Sequence, residues 1–196
     1  MVQKLIAATG NRGKIKEIRE ILSDLDLEVC GLEKEFGYKP DIPESGTIFS
    51  ENAGIKAEWV RERRDGFVIA DDSGLIVDSL GGAPGVYSSR YAGEECDDQR
   101  NIEKLLSDMR GIEERDARFK CVICLKGNGV EEYFEGVCEG RIAETPSGTG
   151  GFGYDPVFIP EGLSESFAEI DPGLKNRISH RSRALNSFRS RLDALL

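Results

Sequence analysis

The sequence predicts a mixed α/β protein, in which helices pack on a long mixed β-sheet. Strand and helix patterns alternate along the first half of the chain, and a long hairpin around Gly127-Asn128-Gly129 follows. Alternating elements build parallel strand pairs, whereas a hairpin adds an antiparallel pair. At 196 residues the chain is long for one small domain and short for two, so we expect a single bilobed domain.

The first half of the chain is predicted to alternate strand and helix. Residues 4–8 and 27–32 are short apolar runs of the kind that form strands. Between them, residues 14–25 place isoleucine and leucine on one helical face. Residues 35–45 contain glycine and prolines and are expected to form a loop. The stretch 48–64 again has apolar residues three or four positions apart, which predicts a helix.

The second half is predicted to be richer in strands. Apolar runs at 67–71 and 75–80 predict two strands, and the glycine-rich stretch 81–85 predicts a loop. Residues 97–109 show helical periodicity. The remaining expected elements are strands over 117–127, 131–144 and 156–160 and a terminal helix over 179–196.

Composition and charge exclude several classes of protein. The net charge of −10 argues against a nucleic-acid partner, because binding the phosphate backbone needs a broad field of lysine and arginine. No stretch approaches the roughly 18 apolar residues of a membrane span. The start Met1-Val2-Gln3-Lys4 runs into a strand pattern rather than a signal peptide. We therefore expect a soluble, cytoplasmic protein with no membrane partner.

The five cysteines are odd in number and irregularly spaced, which fits a reducing compartment rather than a disulfide framework. Cys121 and Cys124 form a Cys-x-x-Cys motif inside a strand pattern. Because side chains alternate along a strand, this spacing puts the two sulfurs on opposite faces. Both are expected to be core residues rather than ligands of one zinc ion.

Asp71 and Asp72 follow an apolar run that ends at Ala70 and precede Ser73-Gly74, which predicts paired carboxylates at the exit of a strand. Carboxylate oxygens suit Mg²⁺, especially when substrate phosphates complete its coordination. The alternative is a plain Asp-Ser-Gly hairpin turn between two strands. Three further polar clusters favour the metal hypothesis, because each suits part of the same ligand.

The first cluster, Thr9-Gly10-Asn11-Arg12-Gly13-Lys14, joins the first strand to the first helix. Glycines let the backbone approach an anion, a helix N-terminus offers N–H groups, and Lys14 adds charge, so the loop is predicted to cradle phosphate. It is not a Walker A loop, because Ile15 stands where a serine or threonine would bind Mg²⁺. The alternative is a glycine-rich turn with a solvated lysine.

The second cluster is the glycine-rich stretch from Gly148 to Asp155. Its Gly-x-Gly-x-x-Gly pattern is not a dinucleotide fingerprint, because Pro156 and a strand follow where a helix would have to begin. We expect a flexible loop that presents Phe152 for stacking on a base and Asp155 for bonding the edge of that base. The alternative is a tight loop whose aromatic rings fill the core.

The third cluster, from Lys175 to Arg181, contains the only histidine of the chain. Ser179 is expected to cap the last helix, which puts His180 and Arg181 in its first turn. Cations there oppose the helix dipole, an arrangement that favours a nearby anionic or electron-rich ligand. The alternative is a structural or exposed histidine.

Together these clusters resemble the motifs of the inosine/xanthosine triphosphate pyrophosphatases, the Ham1-like family. The resemblance runs in order from Ala8 to Leu185, nearly the whole chain. One departure is Leu174, where the family commonly carries glutamate, whereas Lys175 is kept. The matching strings are Thr9-Gly10-Asn11 with Lys14, Glu51-Asn52-Ala53, Ala70 to Leu75, Gly81 to Ser88, Gly150 to Pro156, and Ser179-His180-Arg181.

The resemblance implies an enzyme that hydrolyses the deaminated purine nucleoside triphosphates ITP, dITP and XTP to the monophosphate and pyrophosphate. It implies a two-lobed α/β fold with the active site in the cleft between the lobes, a homodimer, and Mg²⁺ as cofactor. Asp72 corresponds to the family's general base, and Glu44 and Asp72 correspond to its Mg²⁺ ligands. The residues that correspond to substrate contacts are Thr9, Gly10, Asn11, Arg12, Gly13 and Lys14 for the phosphates, and Ser73, Phe152, Gly153, Tyr154, Asp155, Lys175, His180 and Arg181 for the nucleoside.

The chemistry of this reaction gives the residue types a purpose. Water must reach the α-phosphorus of a polyanion, so Lys14 would neutralise charge while a carboxylate accepts the proton. The resemblance implies Asp72 for this role, but the residues alone leave open which carboxylate accepts the proton. The nearby carboxylates of Asp71 and Glu44 would raise one carboxylate pKa by like-charge repulsion. Donors such as Arg181 at the base edge would accept a 6-oxo group and reject the 6-amino group of adenine, a hypothesis that Arg181→Ala would test.

Two alternatives stay open from the sequence. A nucleotide pyrophosphatase of the Maf type would share a phosphate loop and an acidic metal site but act on pyrimidine or modified bases. A non-catalytic nucleotide sensor would bind ITP without turning it over. The role of Glu51 is also open, since an acid at a helix start either acts near the metal or favours the helix dipole.

Overall fold

The structure is a computed structural model that describes residues 3–192. The described chain forms two compact units, each assembled from segments far apart in sequence. The first unit holds the chain up to Asp72, Cys121–Gly136 and the chain from Arg181, and the second holds Ser73–Lys120 and Val137–His180. Residues 1–2 and 193–196, which the sequence assigned to the start of the chain and the end of the last helix, lie outside the described residues.

Six strands form one mixed sheet in the order β2-β1-β3-β4-β5-β6. Strand β1 pairs in parallel with β2 and with β3, whereas β5 and β6 are antiparallel. The predicted parallel pairs are therefore confirmed, and the predicted hairpin is present as β4 and β5, which are neighbours in the sheet and are joined by Asn128 and Gly129. The strands are β1 Gln3–Ala7, β2 Leu27–Gly31, β3 Phe67–Val77, β4 Asp116–Gly127, β5 Val130–Ile142 and β6 Phe158–Pro160.

The helices agree with the sequence periodicity except in two short cases. The helices are α1 Arg12–Ile21, α2 Leu32–Phe36, α3 Phe49–Arg61, α4 Asp98–Asp108, α5 Pro172–Ile178 and α6 His180–Leu192. Helices α2 and α5 were missed, because 5 and 7 residues are too few to show an apolar stripe. Helix α5 still carries a start signal, since the Asp171 side chain accepts a hydrogen bond from Leu174 N and Pro172 follows it. None of the described helices is long and apolar enough to span a membrane.

Strand β3 corrects the sequence prediction of two strands separated by a turn. It is continuous from Phe67 to Val77, so Asp71 and Asp72 lie within the strand rather than at its exit. Positive φ angles occur elsewhere among the described residues, and none falls within β3. Glycine and aspartate adopt extended backbone angles when strand pairing favours them, and Asp-Asp-Ser-Gly does so here.

Each unit has its own hydrophobic core. In the first unit, α1 and α6 pack on one face of the sheet through residues that include Ile18 and Phe188. In the second unit, the core includes Leu105 of α4 and Phe158 of β6. The predicted core position of Cys121 and Cys124 is confirmed, since both are buried and free. Cys30 and Cys138 are buried as well, whereas Cys96 is exposed.

Candidate active site

The loop that joins β1 to α1 is held by its own side chains. Asn11 is the N-cap of α1, and its Oδ1 accepts a hydrogen bond of 3.1 Å from the Lys14 backbone N. Thr9 Oγ1 accepts a hydrogen bond of 3.1 Å from the Asn11 N. The helix begins at Arg12, two residues earlier than predicted, so Lys14 lies in its first turn. The loop therefore places a helix N-terminus and a lysine together, as a phosphate cradle requires.

The Asp71 side chain lies between two cations. Lys14 Nζ forms an ion pair with Asp71 Oδ1, and Arg181 Nε donates a hydrogen bond of 2.8 Å to Asp71 Oδ2. Cys121 Sγ donates to the same Oδ2 over 3.1 Å. Burial raises the pKa of Asp71, but the charges of Arg181 and Lys14 outweigh burial and hold that pKa well below its usual value. Asp71 is therefore a permanent anion at neutral pH.

The Asp72 side chain has a different environment. Lys56 Nζ donates a hydrogen bond of 2.9 Å to Asp72 Oδ1 and one of 3.1 Å to Glu44 Oε1. Asp72 Oδ2 is buried and has no hydrogen-bond partner among the described residues. Burial raises the pKa of Asp72 above its usual value, although the charges of Lys56 and Lys14 oppose that rise. Asp72 is thus the carboxylate of the pair that is suited to exchange a proton.

Strand alternation explains why two adjacent carboxylates behave so differently. Successive side chains on a strand point to opposite faces of the sheet. Ile69 belongs to the core formed with α1 and α6, so Asp71, two residues on, faces the same helices. Asp72 points the other way, toward Lys56 of α3. The predicted proximity of Glu44 is confirmed, but burial rather than repulsion by Asp71 is the main cause of the raised pKa of Asp72.

Lys56 is the site residue that sequence reasoning missed. It is only 6% exposed and lies on the face of α3 that also buries Ala53, Ala57 and Val60. The sequence does contain a sign of this residue, namely a lysine within the apolar stripe of a helix. Such a lysine indicates a buried ion pair, because a buried ammonium group needs a carboxylate partner. This signal points to a buried ion pair without naming the partner.

Glu51 has a local role at the start of α3. Its Oε2 accepts hydrogen bonds of 2.7 Å from the Thr47 N and 3.1 Å from Thr47 Oγ1. These bonds lower the pKa of Glu51. The carboxylate is therefore bonded to the residue before the N-cap Ile48, at the end of the helix where an acid favours the helix dipole.

In the second unit, Asp155 is an internal anchor of the glycine-rich loop. Its Oδ2 accepts hydrogen bonds of 2.8 Å from the Phe152 N and 2.7 Å from Lys175 Nζ. Lys175 Nζ also lies 5.0 Å from the centroid of the Phe152 ring. Asp155 is 3% exposed, so its carboxylate is turned inward rather than presented as the sequence suggested.

The same loop is fixed at two further points, which corrects the expectation that it is flexible. The Gly153 N donates a hydrogen bond of 2.8 Å to Asp98 Oδ2. Tyr154 is buried, and its hydroxyl donates a hydrogen bond of 2.8 Å to the Ser88 carbonyl. Ser88 belongs to the stretch Gly81 to Ser88 that supported the family resemblance. The stretch Gly81 to Ser88 therefore contacts the glycine-rich loop through this hydrogen bond.

His180 and Arg181 are both buried, at 5% and 2% exposure. The His180 ring stacks on Phe119 with centroids 4.7 Å apart and 13° between the planes. Arg181 donates through Nε to Asp71 and through Nη1 to Glu17. Ser179 precedes α6 with the extended backbone angles expected of an N-cap residue.

The predicted residues are thus divided between the units. The first unit brings Lys14 and Arg181 to Asp71, and brings Glu44 to Asp72 through Lys56. The second unit brings Phe152, Asp155 and Lys175 together. Thr9, Gly10, Asn11, Arg12 and Gly13 belong to the first unit, and Ser73, Gly153, Tyr154 and His180 belong to the second.

Replacing Gly151 by alanine is expected to break the Asp155 anchor. A Cβ at Gly151 would lie 1.9 Å from Asp155 Oδ2, and the residue has a φ of +74°. Gly162→Ala is a matched control, because its φ is +80° but nothing lies within 4 Å of the added atom. We expect the control to lose about 1 kcal/mol of unfolding free energy and Gly151→Ala to lose about 2 kcal/mol more, in urea titrations. Equal losses would contradict the anchor.

Replacing Asp71 by asparagine is expected to destabilise the first unit at neutral pH. Removal of one partner of a buried ion pair costs about 3 to 5 kcal/mol, and here both Lys14 and Arg181 lose a carboxylate, although Arg181 keeps its pair with Glu17. Because the folded pKa lies below the usual 3.8, the stabilisation is present above that pH and is lost as the pH falls through the folded pKa. Urea unfolding at neutral pH and near pH 3, with the exposed Asp65→Asn as control, measures this.

The difference between the wild type and Asp71→Asn should therefore shrink in acid. A difference that stays constant between neutral and acidic pH would contradict the assignment of Asp71 as a permanently ionised partner of Lys14 and Arg181.

Comparison with known proteins shows the family of the chain. The model of the Ham1 family matches residues 5–191, and the chain belongs to that family. It is 49% identical over 197 residues to the dITP/XTP pyrophosphatase of Bacillus subtilis, with 99% of each chain covered. It is 48% identical over 190 residues to the dITP/XTP pyrophosphatase of Oceanobacillus iheyensis, covering 95% of this chain and 96% of the relative.

Solved structures give the same result for the fold. The Ham1 protein of Staphylococcus aureus superposes with a TM-score of 0.87 at 39% identity, covering 99% of this chain and all of that one. A HAM1 protein from Coxiella burnetii gives a TM-score of 0.88 at 40% identity, covering 98% of this chain and 99% of that one. The mixed six-stranded sheet is therefore a Ham1 fold.

Proposed function

We propose that this chain hydrolyses deaminated purine nucleoside triphosphates, namely ITP, dITP and XTP, to the nucleoside monophosphate and pyrophosphate. Relatives that are 48 and 49% identical over nearly the whole chain bear the name dITP/XTP pyrophosphatase. The observation in the structure that carries the proposal is Asp72, a buried carboxylate with a raised pKa and one oxygen without a partner. A general base for water needs these properties.

Asp72 accepts the proton of the attacking water. Its Oδ1 is held by Lys56, so the side chain cannot rotate freely, and Oδ2 is the atom that receives the proton. The oxygen of water then bonds to the α-phosphorus, and the bond from that phosphorus to the bridging oxygen of pyrophosphate breaks. The pyrophosphate takes the electron pair of the broken bond.

The residues around Asp72 fit a bound Mg²⁺ ion. Glu44 and Asp72 contact a common cation, the ammonium group of Lys56, so the two carboxylates lie close enough to share one ion. No group of three or more histidine, cysteine, aspartate or glutamate side chains that could hold a metal occurs among residues 3–192. Mg²⁺ commonly uses one or two carboxylates, with water and substrate phosphates completing its coordination. When bound, it neutralises the triphosphate and withdraws charge from the α-phosphorus.

Two lysines suit the two ends of the substrate. Lys14, at the N-terminus of α1, supports the binding of phosphate oxygens because its ammonium group is only partly buried, at 16% side-chain exposure. Lys175, held by Asp155, supports recognition of the 6-oxo acceptor of hypoxanthine and xanthine. Both lysines are placed by a carboxylate before any ligand arrives.

Arg181 needs a different test from the one the sequence suggested. Its guanidinium is buried against Asp71 and Glu17, so Arg181→Ala would take a cation from each of two buried carboxylates. A loss of activity in that variant would report misfolding as readily as a lost base contact. Lys175→Met is the better test of base selectivity. If this variant kept the same preference for ITP over ATP, Lys175 would not be a residue that recognises the edge of the base.

The test of the proposed function is pyrophosphate release from ITP, dITP, XTP, GTP, ATP and dTTP, each with and without Mg²⁺. Rapid Mg²⁺-dependent release from the first three and weak release from the others is the expected result. Preference for dTTP or modified pyrimidines would indicate a Maf-like activity instead. Tight binding of ITP with no release would indicate a nucleotide sensor.

The resemblance also implies a homodimer, and we extend that proposal to this chain. Light scattering coupled to size-exclusion chromatography measures the mass directly. A mass close to twice 21.6 kDa is expected, and a mass of a single chain would contradict it.

A further inference from the structure

Glu17 occupies an unusual position on α1, one turn after the proposed phosphate-binding Lys14. The neighbouring charged residues Lys16, Arg19 and Glu20 are exposed, but Glu17 is buried at 8% exposure beside the core residue Ile18. Its carboxylate forms an ion pair with Arg181 Nη1. A buried carboxylate is rare unless it is paired, so this contact is specific rather than incidental.

The ion pair joins Glu17 to Lys14 through two intermediates. Arg181 contacts Glu17 with Nη1 and Asp71 Oδ2 with Nε. The other oxygen of Asp71, Oδ1, pairs with Lys14 Nζ. Two cations and two carboxylates thus alternate, and each oxygen of Asp71 has its own cation.

Loss of the Glu17 charge would change which oxygen of Asp71 pairs with which cation. A guanidinium group binds a carboxylate best through two parallel N–H donors, each bonded to one oxygen. Without Glu17, Arg181 would gain most by turning both donors toward Asp71. Arg181 would then compete for Oδ1, the oxygen that holds Lys14 at the N-terminus of α1.

We propose that Glu17 is a positioning residue for triphosphate binding: it holds Arg181 at one oxygen of Asp71 so that the other oxygen fixes Lys14 toward the phosphates. This inference rests on the proposed function of Lys14 in phosphate binding. Glu17 itself touches neither the substrate nor the reacting atoms.

The direction of the KM change in Glu17→Gln distinguishes a positioning role of Glu17 from a direct effect of its charge on the bound polyanion. Removing a negative charge near a polyanion site favours binding of the polyanion, so charge alone predicts a lower KM in Glu17→Gln. Misplacement of Lys14 predicts a higher KM with little change in kcat, because the lost contact serves the bound substrate and the transition state equally. A purely structural defect lowers the active fraction and hence the apparent kcat at constant KM.

The experiment compares Glu17→Gln with Glu20→Gln, the same substitution three positions further along α1 on an exposed glutamate. Initial rates of pyrophosphate release from ITP at saturating Mg²⁺ give KM and kcat for both variants and the wild type. We expect KM to rise about tenfold in Glu17→Gln with kcat within about threefold, and neither to change in Glu20→Gln. A KM equal to or below that of the wild type would overturn the proposal.

Glu17→Asp keeps the inference testable if Glu17→Gln does not fold. It retains the charge but shortens the side chain by one methylene, so the ion pair with Arg181 is displaced rather than abolished. An intermediate rise in KM is expected. An unchanged KM in folded Glu17→Asp, together with a lower apparent kcat at constant KM in Glu17→Gln, would contradict the positioning role of Glu17. Failure of the wild type to release pyrophosphate from ITP or XTP would instead refute the proposed function itself.

Discussion

Replacing Asp72 by asparagine is expected to reduce kcat for pyrophosphate release from ITP by about a thousandfold while the protein stays folded. Asparagine matches the shape of the side chain and can still face Lys56, but it cannot accept the proton of the attacking water. The Oδ2 atom that the substitution changes has no partner among the described residues, so no structural contact of that atom is lost. Initial rates and circular dichroism measure the two properties.

Asp65→Asn is the matched control for this substitution. Asp65 is exposed and lies just before the same strand, and none of the predicted site residues depends on it. It should keep full activity. A folded Asp72→Asn variant that retains more than about a tenth of the wild-type kcat would show that another group accepts the proton.

Replacing Lys56 by methionine is expected to have the second largest effect. The buried ammonium group pairs with Asp72 and Glu44, so its removal takes from both carboxylates the cation that they share. We expect the free energy of unfolding to fall by about 3 kcal/mol. We expect kcat/KM for ITP to fall about a hundredfold, because the orientation and ionisation of Asp72 both depend on Lys56.

The same substitution should change the pH dependence of the reaction in a defined direction. Burial raises the pKa of Asp72, and the charge of Lys56 opposes that rise, so removing Lys56 raises the pKa further. A general base works only when it is ionised. The acidic limb of the pH–rate profile should therefore move to higher pH in Lys56→Met.

Lys126→Met serves as the control for Lys56→Met. Lys126 also pairs with two carboxylates, Glu58 at 2.8 Å and Glu131 at 3.0 Å, and both are outside the predicted site. Its loss should leave the pH–rate profile unchanged. An equal shift of the acidic limb in both variants, or none in Lys56→Met, would contradict the assignment of Lys56 as the partner of Asp72.

The sequence was sufficient for the elements whose apolar pattern is long. The periodicity over 48–64 and the hairpin around Gly127-Asn128-Gly129 led to α3 and to the β4 and β5 pair. It failed at β3, because Asp-Asp-Ser-Gly has the composition of a turn, whereas in the structure it is extended within a strand that lies between β1 and β4 in the sheet. Such a decision depends on contacts that are remote in sequence.

The candidate site shows the same limit more sharply. Motif strings pointed to Asp72, Lys14 and Lys175, which the structure places in well-defined ion pairs. They gave no information on which cation meets which carboxylate. The link between Asp71 and Arg181 spans 110 positions, and nothing in the local pattern of either segment specifies it.

Asp71 and Asp72 illustrate how a fold assigns chemistry to identical residues. In the sequence the two carboxylates are equivalent neighbours, and repulsion between them was the expected cause of a raised pKa. In the structure, strand alternation turns one toward Arg181 and Lys14 and the other toward Lys56. One pKa falls and the other rises, so a single strand supplies both a fixed anion and the carboxylate that we propose as the base.

Attack of water on the α-phosphorus is tested most directly by hydrolysis of ITP in ¹⁸O-labelled water, followed by mass spectrometry of both products. The proposed reaction places the label in the nucleoside monophosphate and leaves the pyrophosphate unlabelled, because the bond that forms joins the water oxygen to the α-phosphorus. Label in the pyrophosphate, or release of orthophosphate in its place, would contradict the role assigned to Asp72 and its surroundings.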